Sequence, residues 1–436
     1  MAVDHLGDGG AAARFAPAEW RPSDGTGAVH RLVDAAVDAA PRSGTAPPAL
    51  RPVRLPGEPE LAGAARDSGV LADLVDLAAR VRDSDRAGPP VSVASGIWAL
   101  AYASGVLRTR RGPDGMTRDE AADLGDTDAA VLQHWLGVHV AITELAEYPA
   151  DIEGEGRTVA ERVLAALLFG LYQGDSPAQV EPEVARLAVE VLEEGDTPVH
   201  EHTRLRAVVE SAVHGALAQL AHHRSLTLHR GGRIELTPLG RWAVNRELNG
   251  AGISAPVLGG YANASPAALL DAVAAYPENE RFAEFRAWLG RRSQHDAAAA
   301  LLTAAGAGGF ARRGAAADLL RLLGPAAEPA VRAGLADPLM WRHCCAWLTD
   351  RGLPPGRPLA DADLGWLLID QLLAAAGRHG PQDFIRRVDR LLTRRDIDLI
   401  VGLPNGAHPE RRHALRLVAD FHPDPRAAEA ARTALA

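Results

Sequence analysis

The segment Leu226-Thr227-Leu228-His229-Arg230-Gly231-Gly232-Arg233-Ile234-Glu235-Leu236-Thr237-Pro238 constrains the fold more than any other stretch of the 436-residue chain. Two runs that alternate apolar and polar residues flank a Gly-Gly pair, which is the pattern of a β-hairpin. Loop length sets the register. A two-residue loop at Gly231-Gly232 would place Leu228 opposite Glu235. A three-residue loop, Arg230 to Gly232, places Leu228 opposite Ile234 and Leu226 opposite Leu236. Leu226, Leu228, Ile234 and Leu236 then share one face, with Thr227, His229, Arg233 and Glu235 on the other. A slip of one residue would turn every side chain over, so the second register is expected. Pro238 then opens a helix, where its missing N–H costs nothing, and that helix runs to Leu248 and stops at Gly250.

Three helical patterns precede the hairpin. Thr158 is read as the cap of a helix through Gln173 that carries Val159, Val163, Leu167 and Leu171 on one face. A second helix runs to about Glu194. A third runs from about Glu201 to His223. Three helices, a hairpin with a glycine tip and a closing helix predict a winged helix-turn-helix over 157–255.

The rest of the chain is read around that core. Residues 1–59, with six prolines between Pro41 and Pro59, read as a disordered, Pro-rich tail and linker that holds one helix-like stretch at 28–40. Residues 60–152 read as a small mixed α/β unit. It has a helix from Glu60 to Arg82, a short strand Val91–Val93, a helix around Gly96–Leu107, a helix capped at Asp126-Thr127-Asp128 and running through Leu136, and a strand at His139–Thr143. Residues 265–436 consist of short helical patterns broken by Pro or Gly, for example at Pro277, Gly306–Gly309, Gly324-Pro325 and Pro423–Pro425. Such punctuation predicts paired helices of a HEAT-like repeat region with one continuous core. The fold class expected is mainly α with a small β-hairpin, a winged helix-turn-helix followed by HEAT-like helices.

Composition removes several function classes. The chain has no lysine, so its 46 basic residues are all Arg. This excludes the lysine of a P-loop, a lysine Schiff base, a kinase lysine and a Ser-x-x-Lys nucleophile. Its 2 cysteines, Cys344 and Cys345, are adjacent and make neither a four-cysteine zinc site nor a disulfide framework. No bound metal or cofactor is expected. The longest apolar run, Val163 to Tyr172, is far short of the roughly 20 residues a membrane span needs. The N-terminus, with Asp4 and Asp8, lacks the basic region of a signal peptide, so a cytoplasmic protein is expected.

Charge is placed unevenly. Residues 1–156 hold 14 Arg against 24 acids, whereas 200–436 hold 29 Arg against 24. Within 200–250 there are 7 Arg and 4 acids. Arg suits two-pronged contact with phosphate or guanine. In a winged helix the third helix enters the major groove and the wing meets phosphates. Arg204, Arg206, Arg224, Arg230, Arg233 and Arg241 are therefore the candidate nucleic-acid-binding residues, with Arg246, His222 and His223 beside them. The alternative stays open that the winged helix is structural or docks a protein, with the helical repeats as a protein-binding surface; an enzyme of another type is the second alternative.

Other motifs have plain readings. His200, His202, His214, His222, His223 and His229 lack the fixed one-face spacing of a metal site and read as solvated or groove-facing. His343-Cys344-Cys345, between Trp341 and Trp347, reads as buried packing. Gly306–Ala311 imitates a dinucleotide fingerprint but follows a helix, not a strand, and reads as a loop. The Asp-x-Asp pairs read as caps or turns, and no Ser, His and Asp arrangement stands out.

The stretch Leu236-Thr237-Pro238-Leu239-Gly240-Arg241-Trp242 followed by Ala255-Pro256-Val257, the lead-in Pro52-Val53-Arg54-Leu55-Pro56 and the ending His422-Pro423-Asp424 resemble a group of uncharacterised proteins of high-GC actinomycetes. The resemblance spans about 50–436, except that 108–128 departs from the pattern. It implies a winged-helix-like core with HEAT-like helices behind it, and it carries over no reaction.

Overall fold

The computed structural model describes residues 50–83, 95–111, 117–122, 125–145, 155–174, 176–195, 198–378, 384, 388 and 392–436. The helix-like stretch 28–40 and the strand expected at Val91–Val93 lie outside them. The fold is mainly helical, with two small antiparallel sheets. It divides into two compact units, residues 55–255 and residues 256–436 together with 50–54.

In the first unit, α1 spans Glu58–Arg66 and α2 spans Val70–Asp83. The single helix expected from Glu60 to Arg82 is broken between them at Gly69, whose φ of 73° lies in the left-handed region that stops a helix. Next come α3 (Ser95–Ala103), β1 (Leu107–Arg111), β2 (Thr117–Ala121) and α4 (Asp128–Leu145). Thr127 caps α4, its Oγ1 accepting from Ala130 N at 3.2 Å. The helix then runs well past Leu136 and takes in the strand expected at His139–Thr143. Val138, His139, Ala141 and Ile142 are buried along one side of α4, and that packing overrides the β-branched run. The hairpin β1–β2 lies where the sequence, polar and without alternation, gave no strand signal.

α5 (Glu155–Gln173) starts ahead of Thr158, which is therefore inside the helix and not its cap. There follow β3 (Ala178–Gln179), α6 (Val180–Glu194), a 3-10 turn at Val199–Glu201, α7 (His202–His222), β4 (Leu226–His229), β5 (Arg233–Leu236) and α8 (Pro238–Gly250). The three-strand order is β3-β5-β4, with β5 in the middle. Residues 60–152 do not stand apart from 157–255. α1 packs on α4 and α8, and α4 packs on α7, within one compact unit. Trp135, Leu167, Leu192, Leu220, Ile234 and Leu248 are fully buried there. Each such side chain contributes roughly 1.5–3 kcal/mol by leaving water.

In the second unit the lead-in is folded and is not a free linker. Leu50 and Val53 are buried. Val53 N donates to Pro256 O at 3.0 Å, and Leu258 N donates to Val53 O at 2.9 Å. Arg51 reaches Glu280 at 2.8 Å. The helices are α9 (Pro266–Ala274), α10 (Glu278–Leu289), α11 (Gln294–Gly306), α12 (Phe310–Leu322), α13 (Glu328–Gly334), α14 (Trp341–Asp350), α15 (Asp361–Arg378), α16 (Arg394–Val401), α17 (Arg411–Phe421) and α18 (Pro425–Leu435). Caps stand where the punctuation puts them. Ser265, Ser293 and Asp424 each accept from a first-turn N–H, and Thr393 forms a capping box with Asp396. The apolar interior forms two clusters, one around Leu270, Trp288, Leu301 and Leu319, the other around Ile369, Val388, Ile400 and Leu415. One continuous core was expected.

Candidate nucleic-acid interface

α7 is two-faced. Val209, Ala212, Val213, Ala216, Leu217 and Leu220 recur at helical spacing and are buried. The opposite strip, Arg204, Ala207, Ser211, His214, Gly215, Ala218 and His222, is exposed. The helix is therefore not enclosed, and its outer strip is small-sided along the middle. Its arginines stand at the ends. Arg204 lies in the first turn and Arg206 just beyond it, and Arg206 is paired with Glu210 at 3.1 Å. Arg224 lies just beyond the last turn, about 30 Å from Arg204 at 1.5 Å per residue.

The hairpin has the expected register: Leu226 opposite Leu236, Thr227 opposite Glu235, Leu228 opposite Ile234 and His229 opposite Arg233. Gly231 and Gly232 have φ of 80° and 71°, a conformation other residues adopt only with strain. Arg230 and Arg233 flank them and are exposed. Leu226, Ile234 and Leu236 are buried, but Leu228 is 55% exposed. The register puts all four on one face as expected, but that face is covered only at Leu226, Ile234 and Leu236. On the polar face His229 Nε2 lies 2.8 Å from Glu235 Oε1.

The base of the hairpin is fixed tightly. Arg224 has φ of 62°, and Ser225 N turns back to Leu220 O at 2.8 Å. Thr237 Oγ1 donates to Arg224 O at 2.7 Å and accepts from Gly240 N at 3.0 Å, so it caps α8 and holds the end of α7 at once. Position 240 must be Gly, since a Cβ there would run into the Ser225 carbonyl oxygen. Arg224 lines a cleft of 180 Å³ with Glu60 and Thr237, at the base of the hairpin and away from its tip. Arg241 is half-buried near Tyr172. Burial pushes the Tyr172 hydroxyl up to about 12, against the pull of Asn245 and Arg241.

The six candidate arginines thus fall into separate places: Arg204 with Arg206 on α7, Arg230 with Arg233 at the hairpin tip, Arg224 at the hairpin base and Arg241 half-buried on α8. They do not make one continuous stripe. Of the histidines, His200, His214 and His222 are exposed and His202, His223 and His229 half-buried. Burial, then His222, lowers the basicity of His223. Among the described residues no group of His, Cys, Asp and Glu is placed to hold a metal.

Two buried polar clusters escaped the sequence reading. In the first unit His139 Nδ1 lies 2.9 Å from Ser225 Oγ, and Nε2 lies 3.2 Å from Glu247 Oε1 but out of line for a hydrogen bond. These are the residue types of a nucleophile, a base and an orienting carboxylate. Ser225 is 0% and His139 1% exposed. No substrate atom reaches the hydroxyl in this state, and the trio ties α4 to the α7–β4 turn and α8. In the second unit the Asp370 carboxylate accepts from Arg313 twice at 2.8 Å, from His343 Nε2 at 3.0 Å and from His408 Nε2 at 3.2 Å. Burial alone would raise the Asp370 carboxyl, but its hydrogen bonds from His343, His408 and Arg313 hold it well below the usual carboxylate range. His343 also lines an open groove of 420 Å³ with Asp318, Arg321, Gln371 and Arg395. Positions spread from 139 to 247, and from 313 to 408, carry no local signal.

Cys344 and Cys345 are free and buried, as expected, and burial pushes the Cys344 thiol up to about 12. Gly306–Gly309 is the turn between α11 and α12. No helix of the described residues is long and apolar enough to cross a membrane. No family model, curated protein or solved structure matches the chain.

Proposed function

We propose that residues 155–255 are a winged helix-turn-helix that docks on duplex DNA, in a cytoplasmic regulatory protein whose residues 256–436 offer HEAT-like helices to a protein partner. The observation that carries this reading is the exposed, small-sided outer strip of α7 beside an arginine-flanked glycine hairpin in the same unit. Helix, strand, two helices, two strands and helix, with sheet order β3-β5-β4, is the order a winged helix needs. Small residues at Ala207, Gly215 and Ala218 let the helix backbone approach groove walls, and Ser211, His214 and His222 supply polar contacts. Arg230 and Arg233 meet phosphates in two-pronged fashion.

The test is binding of the full chain to random duplex DNA at about 50 and 200 mM salt. Affinity falls steeply with salt, because each neutralised phosphate releases counterion. Absence of binding at the lower salt refutes the reading. R230A/R233A weakens binding by roughly 10-fold or more, about equally for all sequences, at 1–2 kcal/mol for the pair. A second reading, docking of a protein on this face, is favoured by the exposure of Val199 (81%) and Leu228 (55%). It predicts no DNA binding, and loss of a co-purifying protein on V199S/L228S.

A further inference from the structure

The first unit contains the same local construction twice. At the end of α3, Ser104 N donates to Leu100 O at 2.8 Å and Gly105 N to Tyr102 O at 3.0 Å. At the end of α7, His223 N donates to Gln219 O at 2.9 Å and Arg224 N to Ala221 O at 3.1 Å. The residue that stops each helix is left-handed, Gly105 at φ 74° and Arg224 at φ 62°. The next residue then accepts across the hairpin, Val106 O from Ala122 N at 2.8 Å and Ser225 O from Thr237 N at 3.1 Å. One step further the first strand pairs begin, Leu107 opposite Ala121 and Leu226 opposite Leu236. Buried Leu107 stands where buried Leu226 stands. α2 packs on β2 as α5 packs on β5, α3 packs on β1 as α7 packs on β4, and a long helix follows each hairpin. These matches pair backbone groups one by one, which a chance likeness of helix order would not do.

The earlier hairpin departs from the later one in a way that suits an anion. Beyond Leu107, every residue of β1 is exposed: Arg108, Thr109, Arg110 and Arg111. An ordinary half-buried strand hides every second residue, so β1 stands clear of the core beyond Leu107, while Asp119, Glu120 and Ala121 of β2 are half-buried. Three of its four exposed residues are Arg, and the register sets Arg118 opposite Arg110. Facing them are the acids of β2. Glu120 lies 3.6 Å from Arg110, whose side chain is largely in solvent while that of Glu120 is half-exposed, and Asp119 is held at the base by the Tyr102 hydroxyl.

We propose that β1–β2 is a second wing, a phosphate clamp for the same DNA duplex that α7 and β4–β5 engage. The proposal rests on the reading of α7 and β4–β5 given above. Guanidinium groups at Arg108, Arg110 and Arg111 contact backbone oxygens and carry no base preference, so they lengthen the footprint and raise the salt dependence of binding.

The experiment measures the full chain on random-sequence duplex DNA across a salt series, for wild type, R108A/R110A/R111A, R108K/R110K/R111K and R230A/R233A, with thermal unfolding of each as the fold control. The triple Ala variant lowers the slope of log K against log salt by about 3 and weakens binding on the order of 10–100-fold at 50 mM salt. The triple Lys variant, which keeps the charge, retains the slope. If wild type binds and the triple Ala variant keeps its affinity and slope, the second wing is overturned while the α7 reading stands. If the triple Lys variant loses the slope with its fold intact, phosphate contact through β1–β2 is overturned as well. If wild type does not bind at low salt, both readings fall together.

Discussion

In the second unit the Asp370 carboxylate sits at full burial with four hydrogen bonds from Arg313, His343 and His408. Trp366 closes over the donors, with the Arg313 guanidinium 5.0 Å from its ring and the His408 ring 4.6 Å away. In the first unit the Glu247 carboxylate is 5% exposed and has only the misaligned His139 within reach, with neither oxygen hydrogen-bonded to protein. Taking a charge out of water costs several kcal/mol, and the loss is recovered only where donors fill the lone pairs in good geometry. Asp370 meets that condition, and Glu247 does not. The difference teaches that the second unit is locked by its polar centre, whereas the first unit is held by its apolar packing and tolerates a buried carboxyl without a hydrogen bond.

That contrast can be broken experimentally, and the largest effect belongs to Asp370. D370N removes the charge that Arg313 needs and leaves a cation buried. It costs about 3–5 kcal/mol, read as lost amide-exchange protection in α12 and α15. Protection unchanged there would end the claim of a lock. G240A comes next. The new Cβ forces α8 away from Ser225, at about 1–3 kcal/mol of overpacking in the first unit, measured by urea unfolding.

Acid supplies a graded version of the first test. In the fold Asp370 is held below the ordinary carboxylate range, and in the unfolded chain it titrates near pH 3.9. Its stabilisation is therefore complete above about pH 4 and is lost as pH falls below that. The stability gap between wild type and D370N should be constant from pH 7 to 5 and shrink on acidification below 4. The smallest effect is expected from E247Q. Replacing a carboxyl that makes no hydrogen bond by an amide of the same shape changes stability by less than about 1 kcal/mol, in either direction. A loss as large as that of D370N would erase the comparison.

Several elements were legible locally. The hairpin β4–β5 came out in register because a period of two and a glycine loop leave one arrangement that hides Ile234 and Leu236. α6, α7 and α8 came out close to their bounds, and the start of α8 at Pro238 is a signal carried in sequence. Three of the failures share one cause. His139–Thr143 looks like a strand until the side that buries Val138 and Ile142 is known. β1–β2 is polar and flat in pattern, because β1 beyond Leu107 is exposed and has no core to alternate against. β3 is two residues long and exists only through its pairing with β5.

The sequence by itself determined the helical content of the chain, the glycine-tipped hairpin with its register, and the positions of Arg204, Arg206, Arg230 and Arg233 on elements that reach solvent. Caps, loop length and periodicity are set within a few residues, so they survive without tertiary context. Tertiary structure alone decided that Leu228 faces water, that the six arginines stand in separate places, that residues 60–152 join the unit behind them, and that His139 meets Ser225 and Asp370 meets His408. Each of those depends on which surface a neighbour covers, and residues tens to a hundred positions apart become neighbours only when the cores close.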